Sequence, residues 1–368
     1  MNSRFRLSTV ASLFLLLSLA ACAPDPETNT DPASEVTIPA DAPPAEPGWF
    51  ERTTPAFDTL VPADARVEVL AEGFEWSEGP VWVPDGGFLL FSDVPTNRIY
   101  RWQPGETGAT VWLTPSGYTG DEPRGGEPGS NGLVLDGEGR LLLAQHGDRR
   151  IARLEAPWDA PEPQFGTVAA GPDGEALNSP NDLVIHPSGA VLFTDPPYGL
   201  DPNRETRERE EHGVYRSLPD GSIALISAEL DRPNGIALSP DASTLYVANS
   251  DPERALWMRW SLGQDTLDGS DPLPEGEVFF DATQHVGDEE PGLPDGMAVD
   301  TAGNLFATGP GGVWVFSPEG EVLGRIRIRQ PTANCTFGED GSSLFVTADH
   351  QLLRIRLTTH GLGMDPAG

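Results

Sequence analysis

One short pattern recurs along the chain, and each copy opens on a side chain that carries an oxygen donor. The copies read EGPVWVPDGGFLLFSD from Glu78, NGLVLDGEGRLLLAQH from Asn131, NDLVIHPSGAVLFTDP from Asn181, NGIALSPDASTLYVANS from Asn234, DGMAVDTAGNLFATGP from Asp295 and NCTFGEDGSSLFVTAD from Asn334. Two carboxylates and four amides, with no imidazole or thiolate among them, form a hard oxygen donor set. Such a set suits Ca²⁺, less readily Mg²⁺ or Mn²⁺, and disfavours Zn²⁺. Asn and Asp also open strands and fill turns in their own right. Gathering six of them at one place is costly without a cation or water network to satisfy them. A tight hairpin returns the chain to the end where it began, so Asp93, His146, Asp195, Asn249 and Asp349, fourteen or fifteen residues further on, share that end. They are candidates for substrate contacts, and His146 is the one that titrates near neutral pH. His186 falls in a hairpin turn at the opposite end and is set aside.

The elements that must position these residues are β-hairpins. Each copy has two runs rich in Val, Leu, Phe and Ile around a turn such as Pro84-Asp85-Gly86 or Asp136-Gly137-Glu138-Gly139. A third strand follows, as at Arg98 to Trp102, Gly213 to Arg216 and Gly312 to Phe316. The first five copies add a fourth, as at Ala109 to Leu113, Ser222 to Ser227 and Val322 to Ile328. The copies start 53, 50, 53, 61 and 39 residues apart, near the period of a four-stranded propeller blade. An all-β, six-bladed β-propeller over residues 65–360 is therefore expected, with its innermost strands starting at the six polar residues. The sixth copy ends after Leu352 to Leu357, so Arg66 to Leu70 is expected to supply its outer strand and close the ring.

The chain start reads as an export signal: Arg4 and Arg6, an apolar run from Val10 to Leu19, then small residues before a cysteine. The stretch is too short for a spanning helix. Leu19-Ala20-Ala21-Cys22 resembles a bacterial lipobox, which implies a signal peptide over residues 1–21, lipidation of Cys22 and, with Ala23 following, an outer-membrane anchor facing the periplasm. Residues 22–64, dominated by Pro, Ala, Asp, Glu and Thr, read as a disordered tether. Cys335 is the second of two cysteines, so an acylated Cys22 leaves no intramolecular disulfide. The formal charge is −34 and every basic residue is Arg. That field repels phosphate backbones and anionic lipid surfaces, which excludes nucleic acid as a partner and leaves the Cys22 lipid as the membrane contact. No G-x-S-x-G, H-E-x-x-H, C-x-x-C or P-loop signature is present.

From about Glu68 to Leu357 the chain resembles the SMP-30/gluconolactonase/LRE family of calcium-dependent six-bladed propellers. The likeness is carried by GFEWSEGPVW, FSDVPTNRIYRW, PRGGEPGSNGL, LNSPNDLVIH, FTDPPYGL, RPNGIALSPD, PDGMAVD, GPGGVWVFSP and NCTFGEDGSSLFVT. The resemblance implies Glu78, Asn181, Asn234 and Asp295 as metal ligands, Asp295 also as general base, and Asn131 as a substrate-side residue beside His146 and Asp195. It implies hydrolysis of a sugar lactone such as glucono-1,5-lactone with a divalent cation, Ca²⁺ first and Mg²⁺, Mn²⁺ or Zn²⁺ as the other candidates. Two other readings keep the same metal site: an esterase or phosphotriesterase on another substrate, and a non-catalytic binding propeller with structural calcium.

Overall fold

Each hairpin repeat folds into one antiparallel sheet, and six such sheets make the ring. The computed structural model describes residues 46–171, 176–201, 209–218, 223–263, 267 and 272–364. The first blade runs Ser77–Val83, Phe88–Asp93, Arg98–Trp102 and Thr110–Leu113 from the axis outward, and the second Ser130–Leu135, Leu141–Gln145, Arg150–Leu154 and Phe165–Ala169. The third is Leu183–Ile185, Val191–Asp195, Gly213–Ser217 and Ile223–Ser227; the fourth is Pro233–Leu238, Thr244–Asp251, Arg254–Ser261 and Glu277–Asp281. The fifth is Met297–Val299, Leu305–Gly309, Gly312–Phe316 and Val322–Ile328. The sixth is Asn334–Gly338, Ser343–Ala348 and Gln351–Arg356, closed on its outer edge by Val67–Glu72 from the other end of the propeller sequence. Each innermost strand packs against those of both neighbouring blades, which completes the circle.

There is no central core. Among the described residues, the hydrophobic clusters lie between neighbouring blades, for example Leu192, Val214 and Ile226 of the third against Ile236, Leu245 and Met258 of the fourth. Six such clusters occupy the six junctions. A blade therefore buries both of its faces, and its strands read as continuous apolar runs rather than an alternation. That is why Phe88–Asp93 and Gly312–Phe316 are buried throughout.

Part of the tether expected over residues 22–64 is instead ordered structure. Gly48–Arg52 adds a fifth strand outside Val322–Ile328, and Pro55–Leu60 forms a short helix capped by Thr54, whose Oγ1 accepts from the Phe57 amide. Phe57, Leu60 and Val61 join the cluster between the fifth and sixth blades. The added strand carries little apolar signal because it lies at a sheet edge, held by its backbone ladder and by Glu51 with Arg325 and Arg327. The signal peptide, Cys22 and residues 23–45 lie outside the described residues. Among the described residues no helix is long and apolar enough to cross a membrane.

Candidate functional site

The residues that open the innermost strands are turned off the strand ladders by backbone irregularity. The pairing register shifts between Glu78 and Val81, between Ser130 and Leu133, and between Pro233 and Ile236. In the third and fifth blades regular pairing begins only at Leu183 and Met297, two residues past Asn181 and Asp295. A bulge re-aims a side chain, and here five side chains, Glu78, Asn131, Asn181, Asn234 and Asp295, line one pocket of about 600 Å³.

The sixth blade does not contribute Asn334 to this ring. Asn181 N–H donates to the Thr194 carbonyl and Asp295 N–H to that of Thr308; in the sixth blade the equivalent bond runs from Ala333 N–H to the Thr347 carbonyl. Asn334 is thus one residue out of step, equivalent to Asp182, and the two line the pocket at the other mouth. Asn334 Nδ2 donates to Asp182 Oδ2 at 3.4 Å. The off-by-one reading came from the residue that follows each ring position. In the first, second, fourth and fifth blades that residue is Gly79, Gly132, Gly235 or Gly296, and an added Cβ at Gly79 would stand 2.1 Å from the Asn131 carbonyl oxygen of the next blade. Blades three and six have Asp182 and Asn334 at this level, so Asn334 mimics a ring residue in sequence while lying one layer deeper.

The donor atoms are strained by burial. Asn131 Oδ1, Asn234 Oδ1 and Asp295 Oδ1 are buried without a hydrogen-bond partner. Glu78 accepts from Trp76 Nε1 at 3.1 Å and from the Gly79 amide at 3.2 Å. Desolvation nevertheless pushes Glu78 up to about 8, with Asp182 and Glu127 adding repulsion. Asp295 is raised well above the ordinary carboxylate range by desolvation and by the charges of Glu78, Asp182 and Glu127. Asp182 is pushed up to about 6 by burial. Among the described residues no three His, Cys, Asp or Glu side chains are placed to share a metal ion, and the pocket's oxygen set mixes its carboxylates with amides.

His146 and Asp195 do not line this pocket; both are fully buried. Asp195 Oδ2 accepts from the Asn178 amide at 2.8 Å, as Asp93 Oδ1 does from Trp76 at 3.1 Å and Asn249 Oδ1 from Arg232 at 2.8 Å. Each of the three acceptors sits 17 residues after its donor and fixes the segment leading into an innermost strand. Burial pushes Asp195 up to about 7. Residues that the sequence reading passed over also line the pocket: Trp76, Glu127, Tyr198, Arg232, Ser250, Leu293 and Pro331. Three of these were recoverable, because Trp76, Arg232 and Leu293 each lie two residues before a ring position legible in the sequence, whereas Pro331 lies two before Ala333.

Comparison with known proteins places the chain in a family. Residues 76–350 match the SMP-30/Gluconolactonase/LRE-like region. The chain belongs to this family. In the SMP-30/gluconolactonase/LRE family its relatives include a gluconolactonase from Zymomonas mobilis, 43% identical over 85% of this chain and 87% of the relative. A pentonolactonase from Haloferax volcanii is 27% identical over 73% of this chain and 80% of its own length. Among solved structures, a gluconolactonase from Xanthomonas campestris superposes with a TM-score of 0.71 at 32% identity, covering 86% of this chain and 98% of that one. The family match spans all six ring positions, Glu78 through Ala333.

Proposed function

We propose that this chain hydrolyses a sugar lactone, with glucono-1,5-lactone as the reference substrate, in the pocket at the ring end of the channel. The observation that carries the reading is the set of orphaned oxygens of Asn131, Asn234 and Asp295 around a buried Glu78. Buried carboxylates and amide oxygens without donors call for a cation or ordered water to satisfy them, and a set made of oxygens alone suits a cation. The donors are all hard oxygens, which fits Ca²⁺ ahead of Mg²⁺, Mn²⁺ or Zn²⁺. Glu78, Asn181, Asn234 and Asp295 would hold the ion, with Asn131 on the substrate side. Bound there, a divalent cation supplies Lewis acidity toward the lactone carbonyl.

The chain's own residues do the rest. The Asp295 carboxylate, lining the pocket beside the proposed ion, accepts the proton of the attacking water. Trp76, Leu293 and Pro331 give the pocket apolar walls against which a sugar ring packs while bulk water is displaced. The test is a panel of lactones, aryl esters and phosphotriesters assayed with Ca²⁺ present and then chelated. Sugar-lactone turnover that chelation abolishes supports the reading. Turnover of esters or phosphotriesters alone moves it to the second substrate class, and no turnover at all leaves a binding propeller.

The chain is further proposed to be exported and lipid-anchored through Cys22, with residues 23–45 as tether, on the strength of the Leu19-Ala20-Ala21-Cys22 run. Cys22→Ser is expected to move the protein from the membrane to the soluble fraction or to block processing. Lipid labelling and fractionation check this, and an unchanged membrane-bound, lipid-bearing variant rejects it.

A further inference from the structure

His146 is completely buried, and neither ring nitrogen has a hydrogen-bond partner. Its position is held by the backbone, whose N–H donates to the Gly129 carbonyl at 3.1 Å. Gly199 packs so closely against it that an added Cβ would lie 2.5 Å from the His146 ring. A buried imidazole without a hydrogen bond carries a desolvation cost that folding must offset. The charged side chain it faces is Glu127, with Oε2 3.5 Å from His146 Nδ1. Glu127 is part-exposed and lines the same pocket as Glu78 and Asp295. It is the element through which the buried ring reaches the pocket.

Hydrolysis of a lactone moves two protons. Water gives one up as its oxygen bonds to the carbonyl carbon, and Asp295 accounts for that one. The ring oxygen must gain the other as its bond to carbon breaks, because an aliphatic alkoxide is a poor leaving group, and a positioned acid accelerates such a step by about 10²–10⁴-fold. We propose that Glu127 protonates the departing ring oxygen and that His146, with Nδ1 3.5 Å from Glu127 Oε2, is the positioning residue packed behind it. The C–O electron pair stays on the ring oxygen, which takes the proton from Glu127. The Glu127 carboxylate is then stabilised by the facing imidazole until the pair regains a proton from solvent, while Asp295 releases its own. The sum is lactone plus water to hydroxy acid.

The inference rests on the lactonase reading, so wild-type turnover of glucono-1,5-lactone is measured first; its absence sinks that reading and this one with it. With an active wild type, Glu127→Gln is the decisive variant, since its side chain is part-exposed and the substitution is expected to leave the fold intact. The expected result is a kcat lowered about 10²-fold, with KM and calorimetric Ca²⁺ affinity within about twofold of wild type. His146→Gln should lower kcat in the same direction. The double variant should be no slower than Glu127→Gln alone, because the two act as one unit. An unchanged kcat, a raised KM alone, or a weakened Ca²⁺ affinity overturns the acid role and makes Glu127 a bystander, a binding contact or a ligand respectively. Additive losses in the double variant overturn the role of His146. Should His146→Gln fail to fold, the outcome for Glu127→Gln still decides the acid.

Discussion

Asn234 Nδ2 donates to Ser250 Oγ at 2.8 Å, and Ser250 Oγ donates in turn to the Pro294 carbonyl at 2.5 Å. The chain of two bonds joins the fourth blade to the residue before Asp295. It spends the amide nitrogen of Asn234 on Ser250, so the amide oxygen is the atom left for the pocket.

Ser250→Ala is therefore expected to act on the pocket more than on the fold. Loss of one buried hydrogen bond costs about 1 kcal/mol of stability. An Asn234 amide free to rotate should weaken Ca²⁺ binding by about 3- to 10-fold. Calorimetric titration beside thermal melts separates the two effects. A melt shift with unaltered affinity would show that Ser250 serves packing alone.

Stability should depend on pH in a direction set by the raised carboxylates. Glu78 is held at about 8 and Asp182 at about 6, with Asp295 also raised, so between the ordinary carboxylate range and about pH 8 the folded chain binds more protons than the unfolded one. Folding stability then falls as pH rises through that window. In chelator the melting temperature is expected to drop between about pH 5 and about pH 8. Saturating Ca²⁺ should remove the part of the drop that comes from Glu78 and Asp295, because the ion binds the deprotonated site, while Asp182 and Asp195 keep theirs, and the Ca²⁺-induced gain should grow with pH. Melts across pH with and without Ca²⁺ read this directly; a gain that shrinks with pH would contradict the proposed site.

Asp295→Asn separates metal holding from proton transfer. It keeps an oxygen donor of similar size but removes the base, so lactone hydrolysis should stay about 10²–10⁴-fold slow even when Ca²⁺ saturates. Rates across a Ca²⁺ titration, corrected for spontaneous lactone opening, make the distinction. Full recovery at saturation would leave Asp295 a ligand only.

Closure of the ring rests on the pairing of Val67–Glu72 with Gln351–Arg356, and Val67 and Ala71 are buried in it. Deleting residues 65–72 exposes the outer edge of the sixth blade and uncovers the adjoining clusters. The expected outcome is loss of a single cooperative melt and appearance of aggregates. A deletion variant that melts as sharply as the intact chain would show that closure is dispensable. Removal of Gly48–Arg52, by contrast, takes away a fifth strand beyond a complete blade and should lower the melting temperature without abolishing the transition.

The sequence by itself determined the architecture and most of the ring. Hairpins repeating at a near-constant period can bury their faces only against one another, so the repeat implies the propeller and the sharing of a blade between the chain ends. Glu78, Asn131, Asn181, Asn234 and Asp295 were legible because each heads an apolar run. Register at the sixth blade was decided in three dimensions: Ala333 and Asn334 differ by one step, and the hydrogen bond from Ala333 to Thr347 tells which of them is equivalent to the ring residues of the other blades. Asp195 and His146 sit at the ends of second strands and are fully buried there, which a count along the hairpin cannot tell from a place in the pocket. Glu127 and Tyr198 reach the pocket from segments between hairpins, which have no period to betray them. The strand Gly48–Arg52 escaped notice for a related reason: an edge strand is held by its backbone ladder, and a backbone ladder leaves little trace in side-chain composition.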